Sequence, residues 1–153
     1  MPIKSFRGSM APGEQQKISL STNNGVIGYK ITKISTISTA PGTTSHENVL
    51  KIFSIDQLIS ATNPTTATID FSDQTLLGVS YFKETATTTT PYDMVVIFDN
   101  VVFNQDIYLT MQDARGETAT VNYYIELEQI KLDLNENTVA TLKDIRNIEA
   151  SKL

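Results

Sequence analysis

Apolar side chains recur along this chain mostly at every second position, in short runs separated by turn-forming clusters, which is the period of strands and not of helices. Over residues 27–37, Ile27, Tyr29 and Ile31 share one parity, Ile34 falls on the other, and Ile37 restores the first. A strand with a bulge or bend near Lys33 is therefore expected. Over 121–128, Val121, Tyr123, Ile125 and Leu127 line one face, and Asn122, Tyr124, Glu126 and Glu128 the other. Ile130, Leu132 and Leu134 then continue on the second parity, which calls for a bulge near Glu128 or a change of environment. A compact apolar run spans 49–55, and further strands are expected over 17–21, 67–71, 76–82, 94–98 and 105–111.

Between these runs lie Asn23-Asn24-Gly25, the stretch APGTTSHEN over 40–48, Ser72-Asp73-Gln74, the threonine run ending at Pro91, Asp99-Asn100 and Asp113-Ala114-Arg115-Gly116. The Asn-Gly and Arg-Gly steps suit hairpin turns with positive φ. Turn signals at this spacing, with no long amphipathic helix between strands, predict an all-β fold: an antiparallel, jelly-roll-like β-sandwich.

Two flanks break the pattern. Residues 1–16 carry Pro2, Gly8, Pro12 and Gly13 without a period and are expected to form an irregular N-terminal arm. After the sandwich domain (17–134), Asn135 or Asn137 can cap a short amphipathic C-terminal helix within 135–153, where Val139, Leu142, Ile145 and Ile148 recur every three residues. A helix this short needs a surface for that stripe, either its own sandwich or a neighbouring subunit.

Composition narrows the partners. The 153 residues, 40% of them hydrophobic, suit one domain with one core. Threonine, at 21 residues, is the outlier and fits the solvent face of a sheet. A net charge of −5 with scattered Lys and Arg provides no footprint for a phosphate backbone, so no direct nucleic-acid partner is expected. Cysteine is absent, which removes disulfides, thiolate zinc sites and cysteine nucleophiles. No apolar run approaches the length of a membrane span or the core of a signal peptide, so neither is expected.

Candidate chemistry is sparse. His46, the single histidine, stands between Ser45 and Glu47 and is expected in an exposed loop, without a nucleophile elbow in the sequence. Oxygen ligands for calcium could come from Asp70 with Asp73, Asp99 with Asn100, Asn104 with Asp106, or Asp133 with Asn135 and Glu136, but turn formation and capping are the expected roles. Glu126 and Glu128 share a strand face about 7 Å apart. Lacking aromatic platforms beside them, they read as a solvated face. No catalytic, cofactor or metal site is assigned. Tyr123 and Tyr124 must point to opposite faces, one into the core and the other onto an outer strip with Ile130 and Leu132.

The strings MPIKSFRG, TNNGVIGYKI, FNQDIYLT and VNYYIELEQIKLDLNENTVATLKDIRN resemble a group of small structural proteins of marine tailed bacteriophages. The resemblance covers both ends and the 104–110 region better than the threonine-rich middle, and brings no catalytic residues with it. It implies a β-rich virion protein, made in the host cytoplasm and placed on the capsid surface as a decoration or cement protein between major capsid protein subunits. Self-association as a trimer or higher oligomer is expected with it. The expected contact residues are Phe6 and Arg7 in the arm, Tyr124, Ile130 and Leu132 on the outer strip, and Val139, Leu142, Ile145 and Ile148 on the helix. A tail or fibre component is the near rival, and a carbohydrate-binding module using exposed tyrosines is the alternative of a different kind. An enzyme is disfavoured for want of an acid, base and nucleophile set.

Overall fold

The computed structural model describes residues 2–20, 26–43, 45–57, 67–85, 92–98 and 101–132, together with Leu142. Eight strands follow one another: β1 (Ile3–Met10), β2 (Gln15–Ile18), β3 (Ile27–Ser38), β4 (His46–Phe53), β5 (Leu76–Glu84), β6 (Tyr92–Ile97), β7 (Ile107–Asp113) and β8 (Val121–Lys131). They form two antiparallel sheets, a small one in the order β1-β8-β3 and a large one in the order β2-β7-β4-β5-β6.

This order is that of a ribbon folded in half and rolled up, pairing β1 with β8, β2 with β7 and β4 with β5. The fourth pair of such a roll, β3 with β6, is not hydrogen-bonded; β6 pairs with β5 and packs against β3. Strands β4 to β7 make a Greek key, since β7 returns to lie beside β4. The expected jelly-roll-like sandwich is therefore present.

The core lies between the sheets, where β8 contributes Val121, Tyr123, Ile125 and Leu127, β4 contributes Leu50 and Ile52, and β7 contributes Ile107, Leu109 and Met111. Each fully buried aliphatic side chain is worth roughly 1.5–3 kcal/mol of burial. The bulge expected near Lys33 falls between Ile31 and Lys33, in the pairing of β3 with β8. By absorbing one residue it turns Ile34 into the core beside Tyr29 and Ile31, and leaves Ile37 outward and exposed. Gly78 completes this packing, because a Cβ there would stand 2.8 Å from Ile34 Cδ1.

Several expectations are corrected. The opening segment is not an irregular arm: Ile3–Met10 is the edge strand β1, in register with β8 from Ile3↔Glu128 to Met10↔Val121. Pairing with a strand more than a hundred residues away supplies an order that its own composition does not. Gly13, at φ 90°, then swings the chain from the small sheet to β2 in the large one. Residues 67–71 form no strand; their backbone is taken up by turns around Asp70 and Asp73. Of the two alternatives near Glu128 the bulge is absent and the change of environment is present: β8 runs unbroken to Lys131, and Leu132 just beyond it is buried beside Gly28. The turn at 113–116, with Gly116 at φ 76°, connects the two sheets instead of closing a hairpin. The Asn23-Asn24-Gly25 turn and all of the C-terminal helix except Leu142 lie outside the described residues.

Candidate functional site

His46 is not in an exposed loop. It opens β4 and its side chain points between the sheets, wholly buried. Nε2 lies 3.1 Å from Glu84 Oε2, the Asn48 amide nitrogen meets Nδ1, and the Phe82 ring lies 5.3 Å away centroid to centroid. With the amide so oriented, Nδ1 accepts and Nε2–H donates to the carboxylate, whose other oxygen accepts from the Gly42 amide. A hydrogen bond between Thr36 and Ser80 hydroxyls, 3.0 Å long, joins the two sheets close by. The imidazole is wholly buried in this polar layer, the Thr36–Ser80 bond ties the sheets together at this end, and Asn48 Oδ1 is buried without a hydrogen-bond partner among the described residues.

The acidic candidates behave as turn formers. Asp70 Oδ1 accepts from the Ser72 amide and hydroxyl, which holds its carboxyl below the ordinary range, and Asp73 Oδ1 accepts from Thr75 in the same way. Asp106 accepts from the Leu20 amide and pairs with Lys17 at 3.2 Å. Among the described residues no group of three or more His, Asp or Glu could hold a metal ion. The pairs at Asp99 and Asp133 lie outside those residues.

Two surfaces remain. On the outer face of the small sheet, cross-strand rows run Ser9–Asn122–Ile37, Arg7–Tyr124–Ser35 and Ser5–Glu126–Lys33. Around the first two rows is an open depression of about 540 Å³, lined by Arg7, Ser9, Ser35, Ile37, Asn122 and Tyr124, with Gly8 and Tyr123 at its floor. The Tyr124 hydroxyl donates to Glu126 Oε1 at 2.8 Å, a bond that raises the phenol pKa, and Lys33 Nζ lies 5.7 Å from the ring centroid. Gly8 is required below, because a Cβ there would meet the Tyr123 hydroxyl at 2.9 Å.

The second surface is the β6 edge of the large sheet. Among the described residues strand β6 pairs with β5 alone, and its outward parity carries Tyr92, Met94 and Val96, continued by Phe98. Tyr92 and Met94 are each 52% exposed. Phe71 meets Phe98 edge-on with centroids 5.3 Å apart, and Tyr81 meets Tyr92 at 6.0 Å, so the row is flanked by aromatic rings at both ends. The Tyr81 hydroxyl donates to Glu47 Oε1 at 2.6 Å; this pushes Tyr81 up to about 12 and Glu47 below its ordinary value.

Of the expected contact residues, the fold brings Arg7 and Tyr124 together as direct cross-strand neighbours on the outer face. Phe6 instead turns inward and packs against the core. Ile130 is half-buried opposite Gly28, and Leu132 is buried, so these two form no open strip with Tyr124. Leu142 is exposed; Val139, Ile145 and Ile148 lie outside the described residues. The β6 row was missed, although YDMVVIF carries its signal: apolar residues on both parities of a short strand mean a second covered face or an unfilled one. The chain matches no known protein family, no curated protein and no solved structure.

Proposed function

We propose that this chain is a non-enzymatic structural protein of a tailed-phage virion, a decoration or cement protein that stabilises the head by binding between major capsid protein subunits. The observation that carries the reading is the β6 edge, unpaired among the described residues, with its outward row of Tyr92, Met94, Val96 and Phe98, of which Tyr92 and Met94 are exposed and Val96 and Phe98 half-buried. A free strand edge bearing apolar side chains is a liability for a solitary protein and a ready contact for an assembled one. The resemblance of the strings quoted above to small virion proteins supports the same reading. So does the rolled-ribbon order, which recurs in capsid and lectin domains, although this last support is an analogy of fold.

In this role the sandwich is a rigid block and the β6 row is its adhesive side. Each contact is modest, and repetition around a symmetry axis multiplies it, so a trimer gains more from three weak contacts than a monomer from one. The test is light scattering during gel filtration of the purified chain, repeated with capsids that lack it. A trimer that moves onto the capsids is expected, and Met94→Asp should abolish the shift. A monomer that ignores capsids overturns the proposal.

A further inference from the structure

We infer that the depression on the outer face of the small sheet binds a carboxylate-bearing saccharide, with Arg7 holding the carboxylate and Tyr124 and its polar neighbours seating the sugar ring. This site lies on the opposite layer of the sandwich from the β6 row, so a protein mounted through that row keeps it open to solvent.

Arg7 is the starting point. Among the described residues it takes part in no ion pair, although Glu126 stands one outward row away. The Tyr124 hydroxyl already engages Glu126, which leaves the guanidinium fork free for a planar carboxylate from outside. In a chain of net charge −5 an anion is not drawn in by the overall field. Recognition has to come from the local geometry of Arg7, with Lys33 adding a second positive charge beside Tyr124.

The rest of the lining fits a sugar. Ser9, Ser35 and Asn122 present hydroxyl and amide groups that both donate and accept, as vicinal hydroxyls require. The half-exposed Tyr124 ring and Ile37, 60% exposed, provide the apolar surface against which the C–H face of a pyranose packs. A volume of about 540 Å³ accommodates one to a few rings, within the usual range of small-ligand sites. Peptide recognition by apolar anchors would need a deeper pocket than this open face has. A nucleic acid would need a basic track and a series of stacking rings, where the depression is lined by one cation and one outward aromatic.

The experiment is an amide-resolved NMR titration of the full chain with oligouronates, the trimers of galacturonic, glucuronic, mannuronic and guluronic acid, each beside its neutral methyl ester. At least one acid is expected to shift the amides of Arg7, Ser9, Ser35 and Asn122, and to bind about tenfold or more tighter than its ester. Arg7→Ala should remove that preference with the melting temperature unchanged, and Arg7→Lys should restore part of it. Tyr124→Phe, which keeps the ring but releases Glu126 from the hydroxyl, should reduce the preference for acid over ester, while Tyr124→Ala should weaken every member of the series. The inference is overturned if none of the acids moves those amides, if acid and ester bind alike, or if Arg7→Ala leaves the preference intact.

Discussion

The outer face of the small sheet and the outward row of β6 are both exposed surfaces of one sandwich, yet they are built for different purposes. The first alternates strictly: Asn122, Tyr124 and Glu126 face solvent while Val121, Tyr123 and Ile125 fill the core, and each exposed aromatic or charged group has a polar neighbour. The second is apolar on both parities, with Val95 and Ile97 packed against the core and Tyr92 and Met94 bare. A polar face with one unpaired guanidinium selects a ligand by geometry, whereas an apolar edge gains free energy from any well-shaped surface that covers it. Exposure alone therefore does not identify a contact surface; what the exposed groups lack does.

The largest effect is expected where both surfaces share support. Ile125 is wholly buried directly beneath Tyr124, and Ile125→Ala should cost about 2–5 kcal/mol in denaturant unfolding, enough to blur both faces at once. Met94→Asp should separate them. Capsid retention should be lost while stability changes by no more than about 0.5 kcal/mol, since the side chain is half in solvent, and binding at Arg7 should stay intact.

Lys51 offers a subtler test, because it sits on the outer face of the large sheet but is only 5% exposed, its Nζ bonded to the Thr68 carbonyl at 2.8 Å. Burial lowers its pKa from 10.5. Between the folded value and 10.5 the unfolded chain binds the extra proton, so stability should rise with pH through that window. Lys51→Met should flatten the rise, with a change at neutral pH within about 1 kcal/mol, because the exposed Thr68 can offer its carbonyl to water.

The smallest effect concerns Tyr81 at the rim of the β6 row. In Tyr81→Phe the Glu47 carboxyl, followed by NMR, should titrate closer to its ordinary 4.5. The depressed value contributes stability above the unfolded pKa, lost as pH falls through the folded one; the raised Tyr81 contributes below 10 and is lost as pH rises through about 12. In the variant the tyrosine's contribution should vanish and that of Glu47 should shrink, since Lys83 and Arg115 still lower the carboxyl.

Much of this frame was legible in the apolar spacing. The shift from Ile31 to Ile34 foretold the β3 bulge, and adjacent Tyr123 and Tyr124 foretold one core and one outward ring. What escaped depends on partners distant in the chain. IKSFRGSM lacks an apolar stripe because Gly8 stands where the Tyr123 ring needs room, so β1 passed for an irregular arm. His46 passed for a loop residue because its polar flanks gave no sign of Glu84, a partner 38 positions away. Ile69 and Phe71 mimic a strand, but the Asp70 and Asp73 side chains capture the backbone amides around them. Arg7 and Tyr124 were singled out separately; that they face each other follows from a register no local pattern encodes.

Hydroxyl-radical footprinting of the protein, free and then bound to capsids, tests the division of labour most directly. Protection of Phe71, Tyr92 and Met94, with Ile37 and Tyr124 as reactive as in the free protein, is the expected result. Protection of Ile37 and Tyr124 with Met94 still oxidised would contradict it, and would make the small sheet the adhesive face.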